Sequence, residues 1–218
     1  MAEHGVRFFL VRHGETADNT QMRYLGTRDE PLNEKGVWQA RQAAEAFSQI
    51  PVKIAISSPL RRARDTATRI QESCTVELRM DARLAEGSFG RWEGLNRDEV
   101  LGGEDAEMLR RWESDASIAP PGGESIQQIQ QRVLQLIDDL RMEFSDCSIV
   151  LVSHVGPIKA LIAAALGIPL EASRWFFLDP GTISVVEWGK HPVLRLFNYH
   201  AHLGWPSARW MDFTEPRP

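Results

Sequence analysis

Cysteine is scarce in this chain: 218 residues include only Cys74 and Cys147, far apart and in no paired spacing. That excludes a disulfide framework or a cysteine-rich metal site and fits a reduced, cytoplasmic protein. Long hydrophobic runs are missing as well. Near the N-terminus only residues 8–11 are consecutively apolar, too few for a signal-peptide core. The longest later run, residues 160–166, falls well short of a bilayer span, so no membrane partner is expected. There is no surplus of positive charge either. With 25 Lys and Arg against 30 Asp and Glu, the formal net charge is −5, which argues against a broad nucleic-acid surface. An anionic ligand would have to be met by a local basic pocket in an acidic molecule. No Asp, His or Cys group has metal-ligand spacing, so neither a metal nor another cofactor is expected.

What is present is ordinary globular material, 43% apolar and 25% charged, and long enough to bury a core without staples. No repeat, low-complexity tract or linker interrupts it. The expectation is one domain over residues 1–218 with a helical, lid-like insertion at about 95–124. Alternating strand and helix signals predict an α/β fold, a three-layer αβα sandwich around a mainly parallel sheet. Strands are predicted at about 7–11, 54–56, 75–78 and 149–152. A late hairpin, 183–188 with 193–197, would add an antiparallel edge whose exposed backbone offers a surface for a homodimer.

Helix signals fall between these strands. Asn33 as N-cap, with Leu32 and Val37 as a hydrophobic staple, opens a helix facing inward through Val37, Ala40, Ala44 and Phe47. Ser58 as N-cap and Pro59 at the first helical position predict a second, packed through Leu60, Ala63, Ala67 and Ile70. Capping boxes of Asn96 with Glu99 and Ser125 with Gln128 open a short helix and a long one. Pro157 begins an almost wholly apolar helix that stops at Gly167.

The chemistry gathers at strand ends. Phe8-Phe9-Leu10-Val11 reads as a buried strand stopping on Arg12-His13-Gly14-Glu15-Thr16. Ligands of open α/β sheets bind outside the carboxyl ends of strands. Arg12 can neutralise an anion, His13 can attack it, and Gly14 lets backbone approach closely. A second strand runs into Ser57-Ser58-Pro59-Leu60-Arg61-Arg62-Ala63. Two arginines in a first helical turn oppose the helix dipole, and an anion held there would resolve the conflict. A third strand ends at Ser153-His154. Parallel strands would bring all three ends to one rim.

Two imidazoles, arginines and a carboxylate suit phosphoryl transfer through a covalent phosphohistidine. His13 would attack phosphorus, while Arg12, Arg62 and a protonated His154 hold the charge on the nonbridging oxygens. Glu86, in a stretch broken by Gly87, Gly90 and Gly94, would protonate the leaving oxygen and later activate water. Taken singly, His154 also reads as a structural histidine, Glu86 as a solvated carboxylate and Arg61 as a surface cation. Arg110 and Arg111 read as a solvated helix face or as ligands reaching a substrate carboxylate from a lid. His202 is either a surface residue or a neighbour of the pocket. His200 reads as exposed, and Trp92 as bordering the site.

Four blocks carry a resemblance. They are Arg12-His13-Gly14-Glu15-Thr16 with Asn19, Ser57 through Ala63 followed by Thr66-Ala67, Leu84-Ala85-Glu86 with Phe89-Gly90-Arg91-Trp92-Glu93-Gly94, and Ser153-His154. In this order, over nearly the whole chain, they resemble the histidine phosphatase superfamily. The branch is the one containing cofactor-dependent phosphoglycerate mutases and cobalamin-pathway-type or broad-specificity phosphatases. The resemblance implies a phosphoglycerate mutase-like fold, His13 as nucleophile, Glu86 as proton donor and Arg62 as phosphate ligand. It also implies substrate contacts from Asn19, Tyr24, Leu25, Gly26 and Val155. Two positions depart from the family: Val155 stands where glycine is frequent, and Leu25 where a polar residue is frequent.

The activity so implied is a metal-independent phosphomonoesterase acting on a small phosphorylated metabolite. Phosphoserine, a ribazole phosphate and a glycosyl phosphoglycerate are substrates of similar enzymes. Two alternatives stay open: mutase-type transfer to a second hydroxyl, and an inactive phospho-ligand-binding module. Mutases of the family usually carry a longer, basic and aromatic insertion after the acid. Here Glu99, Glu104, Asp105, Glu107 and a Pro-Gly loop fill that interval, which favours hydrolysis. The presence of both His13 and Glu86 speaks against the inactive module.

Overall fold

Phe8, Phe9, Leu10 and Val11 point alternately to opposite faces of a strand, and both faces are covered. The computed structural model describes residues 5–208. Its elements in order are β1 (Val6–Arg12), α1 (Ala17–Thr20), α2 (Glu34–Phe47), β2 (Val52–Ser57), α3 (Arg61–Cys74), β3 (Leu78–Met80), α4 (Arg97–Leu101), α5 (Ala106–Ser114), α6 (Ile126–Glu143), β4 (Ser148–Ser153), α7 (Val155–Leu166), β5 (Ile183–Trp188) and β6 (Val193–Tyr199). The strands form one sheet in the order β3-β2-β4-β1-β5-β6. β3, β2, β4 and β1 are parallel, while β5 runs antiparallel to β1 and to β6. Phe8, Leu10, Ile149 and Leu151 pack against Val133, Leu136, Ile158 and Leu161 of α6 and α7. Phe9, Val11, Val150 and Val152 pack against Phe47, Ala63, Ala67 and Ile70 of α2 and α3. These are the three layers expected from the alternation of elements.

Register places the site. Arg12 lies opposite Ser153 and Ser57 opposite Val152, so the three central strands stop together. The chain leaves them at His13, Ser58 and His154, all on one rim. The His13 amide still donates to the Ser153 carbonyl at 3.1 Å, which pins the first residue beyond β1 to its neighbour.

Three local expectations are corrected. α3 begins at Arg61, not at Pro59, with Leu60 in the capping position and no side-chain cap of its own. The Arg61 amide is instead satisfied by the Asp29 carboxylate, at 2.6 Å, from a loop distant in sequence. β3 covers 78–80, because Thr75 adopts a left-handed conformation (φ 54°) that closes α3 and delays the strand. α7 begins at Val155, so Pro157 lies inside the first turn, where its missing N–H has no intrahelical role. Both capping boxes and the Asn33 cap are present as read. Among the described residues, no helix is long and apolar enough to cross a membrane.

Candidate active site

The two histidines meet at the rim, with ring centroids 4.9 Å apart. His13 Nδ1 lies 2.6 Å from the Gly14 carbonyl. A carbonyl can only accept, so the proton sits on Nδ1 and the lone pair on Nε2. Arg62 Nε donates to that lone pair at 3.3 Å. Burial, then the Arg62 and Arg12 charges, hold the His13 pKa well below 6.5, so the ring is neutral. His154 is fully buried behind it, with Nε2 2.8 Å from Ser58 Oγ. Burial, then Arg62, His13 and Arg12, hold its pKa well below 6.5 too. The protonated His154 expected from the sequence is thereby corrected. A cation has little to gain in a dry site already ringed by guanidinium groups.

The adjacent arginines separate cleanly. Successive helical residues point about 100° apart, so only one can face the sheet. Arg62, 1% exposed, does so, while Arg61 lies on the surface beside Asp65. Arg62 Nη1 and Nη2 donate to the carbonyls of Arg28 (2.7 Å) and Gly26 (2.8 Å), which hold the guanidinium rigidly over His13. Arg12 is buried at the end of β1 and donates to the Leu178 carbonyl.

Glu86 is held from below. Its carboxylate accepts the Gly156 amide at 3.2 and 3.3 Å, at the N-terminus of α7, and the Gly87 amide at 3.0 Å. A Cβ at residue 156 would overlap Glu86 Oε1. The close approach that demands glycine thus falls one residue after Val155.

A cavity of about 270 Å³ opens onto these groups, lined by Arg12, His13, Arg62 and Glu86. Asn19, Tyr24, Leu25, Gly26 and Val155 also line it. Asn19 does so while its Oδ1 accepts the Thr16 amide at 3.1 Å, closing the capping box of α1. Tyr24 stacks on Phe89 at 4.8 Å, and the Gly26 carbonyl is the one that anchors Arg62. Basic, nucleophilic and acidic groups around one cavity are an arrangement that can seat a phosphoryl group and exchange its substituent.

The family model of the histidine phosphatase superfamily (branch 1) matches residues 8–199. The chain belongs to this superfamily. A bifunctional protein of Mycobacterium tuberculosis is 38% identical over 183 residues, 83% of this chain and 50% of that protein. The chain thus spans about half the length of this relative and of two further mycobacterial ones that match equally. Phosphoserine phosphatase 1 of Hydrogenobacter thermophilus is 34% identical over 202 residues, 91% of this chain and 95% of that one. A solved structure of mycobacterial glucosyl-3-phosphoglycerate phosphatase with VO3 superposes with a TM-score of 0.80 at 31% identity, covering 88% of this chain and 98% of the other. Membership places the chain among the phosphoric monoester hydrolases.

Other residues of this histidine phosphatase lie away from the cavity. Arg110 and Arg111 are exposed on α5, Arg110 beside Glu107 at 3.4 Å. His202 bonds the Gly181 carbonyl at 2.8 Å and stacks on Tyr199. His200 is buried 3.5 Å from Asp179, not exposed as expected, because the chain folds back over the end of β6. Trp92 is fully covered and donates to Asp105 at 2.9 Å, so it belongs to the core under the 95–124 segment. Gly14 is needed for packing, not for a ligand: a Cβ there would overlap the Gly36 carbonyl of α2. Glu15 ties the same loop to α2 through Asn33 (3.0 Å) and Lys35 (3.1 Å).

Sequence reasoning missed three residues. Ser58 was readable only as a helix cap, although its hydroxyl meets His154. Gly156 had one available signal, a poor helix former within a first helical turn. Lys159, which lines the cavity, had only its place on an otherwise apolar helix. Among the described residues, no group of three or more His, Cys, Asp or Glu is gathered for a metal ion.

Proposed function

We propose that the chain hydrolyses a small phosphomonoester without a metal, through a phosphohistidine on His13. The observation that carries this reading is the unprotonated His13 Nε2, aligned by Arg62 beside a cavity that also holds Arg12 and Glu86. The phosphoryl group sits among Arg12, Arg62 and the His154 ring. His13 Nε2 forms the new P–N bond as the P–O bond to the alcohol breaks. Glu86 gives its proton to the departing oxygen, then takes one from the water that cleaves the P–N bond. The guanidinium groups stabilise charge on the nonbridging oxygens throughout, the main catalytic work in such transfers. His154, packed on His13 and bonded to Ser58, is positioned to gain a proton only once that negative charge arrives.

We read residues 1–218 as one catalytic unit, of which 1–4 and 209–218 lie outside the described residues. The 95–124 segment is its lid, tied to the cavity wall by Arg23 with Glu99 (2.8 Å) and by the Tyr24 amide with the Leu95 carbonyl (2.8 Å). Cytoplasmic residence and self-association through the exposed β6 edge belong to the same reading.

Incubation with p-nitrophenyl phosphate plus chelator tests the activity, and mass spectrometry after alkaline quench tests the intermediate. Turnover with phosphate trapped on His13, and neither in His13→Ala, is expected. Turnover abolished by chelator, or label on another side chain, refutes the mechanism. Interconversion of phosphoglycerates primed by a bisphosphate would show a mutase instead.

A further inference from the structure

Beyond the phosphoryl site lies a second cavity of about 160 Å³ that shares Glu86, Phe89, Val155 and Lys159 with the first. A leaving group protonated by Glu86 therefore departs along a wall common to both spaces. Trp112, Ile126 and Ile129 make the far end apolar. The charged residues around this second space are mostly committed. Arg174 donates to the Trp112 carbonyl and lies 4.5 Å above the Trp112 ring. Glu124 takes a bidentate pair of bonds from Arg132, at 2.8 and 2.9 Å.

Lys159 differs. It stands three residues after Gly156, on the same side of α7 as the amide that holds Glu86. Its ammonium lies 5.9 Å from the Phe176 ring centroid, and among the described residues no carboxylate forms an ion pair with it. Burial, then Arg12 and Arg174, lower its pKa to about 8, with Glu86 pulling the other way. The group is thus still mainly charged at neutral pH, half-buried and short of a counter-ion. Such a charge is costly unless a ligand supplies its partner.

We infer that Lys159 is a specificity-determining residue that receives a carboxylate on the leaving group, so that the preferred substrates are phosphomonoesters of small hydroxy acids. One ammonium matches one carboxylate, whereas a second phosphate would need donors that Arg174 has already given to Trp112. The inference rests on the proposed hydrolysis and adds the class of alcohol released.

Two substrate pairs that differ at the carboxylate test it: phosphoserine against phosphoethanolamine, and 3-phosphoglycerate against glycerol 3-phosphate. The wild type is expected to favour the acid of each pair in kcat/KM. Lys159→Met should shrink that preference roughly 10–100-fold, mainly through KM, as for loss of a charged hydrogen bond. Lys159→Arg should restore part of it. Calorimetry on His13→Ala reads the same contrast as a ratio of Kd values without turnover. Equal use of both members by the wild type, or an unchanged ratio in Lys159→Met, overturns the inference. If the wild type hydrolyses nothing, the proposed hydrolysis fails, and the Kd ratio still decides whether Lys159 selects carboxylates.

Discussion

Gly156 shows how one missing methyl group sets the place of a catalytic acid. Its amide reaches both oxygens of Glu86, and a side chain at 156 would occupy the space one of them takes. Gly156→Ala should therefore displace the carboxylate by a fraction of an ångström to an ångström. A misplacement of that size lowers kcat by up to about 10²-fold, with the circular dichroism spectrum and melting temperature little changed. Steady-state kinetics beside a thermal melt check this, and a wild-type kcat would refute it. At this scale the sequence was informative where a residue type carries its own chemistry. His13, Arg62 and Glu86 could be chosen by what an imidazole, a guanidinium and a carboxylate do. Gly156 could not, because its function is the absence of an atom next to a residue seventy positions away.

Helix starts divide in the same way at the level of elements. Ser125 and Gln128 form their reciprocal cap as read, since every partner lies within one turn of chain. Ser58 looked like the same device but is not, because α3 starts later and the hydroxyl turns to His154. The two serines should consequently fail differently. Ser125→Ala should cost about 1 kcal/mol of stability, the usual loss for an N-cap, and leave kcat unchanged. Ser58→Ala should reduce kcat more than it reduces stability, because it strips His154 of its partner. Urea unfolding and initial rates on both variants separate the cases, and matching losses in both would contradict the assignment. Thr75 belongs here too. Its left-handed turn shifted β3 by several residues, and no nearby glycine or asparagine marked it.

Across the whole molecule, burying two neutral imidazoles couples folding to pH. The folded pKa values of His13 and His154 both lie well below 6.5, the value they recover on unfolding. Below pH 6.5 the unfolded chain therefore binds protons that the folded one refuses, so acid favours unfolding. The stabilisation is complete above that pH and is lost progressively as pH falls toward the folded values. Each histidine should remove up to about 1.4 kcal/mol per pH unit in that range. Urea melts of the ligand-free protein at pH 7.5 and 5.5 should show the drop. Equal stability at the two pH values would mean that at least one ring is charged in the folded state.

The sequence by itself determined the alternation of strands and helices, the caps at Asn33, Asn96 and Ser125, and the order in which reactive side chains leave the strands. These are short-range properties, set by side-chain type and by a period of two or 3.6 residues. Tertiary structure alone decided that His154 is neutral, that Arg62 turns inward while Arg61 does not, and that Lys159 meets a cavity without a counter-charge. Those outcomes depend on desolvation and on electrostatic contact between segments far apart in the chain, and neither quantity exists until the layers have closed around the rim.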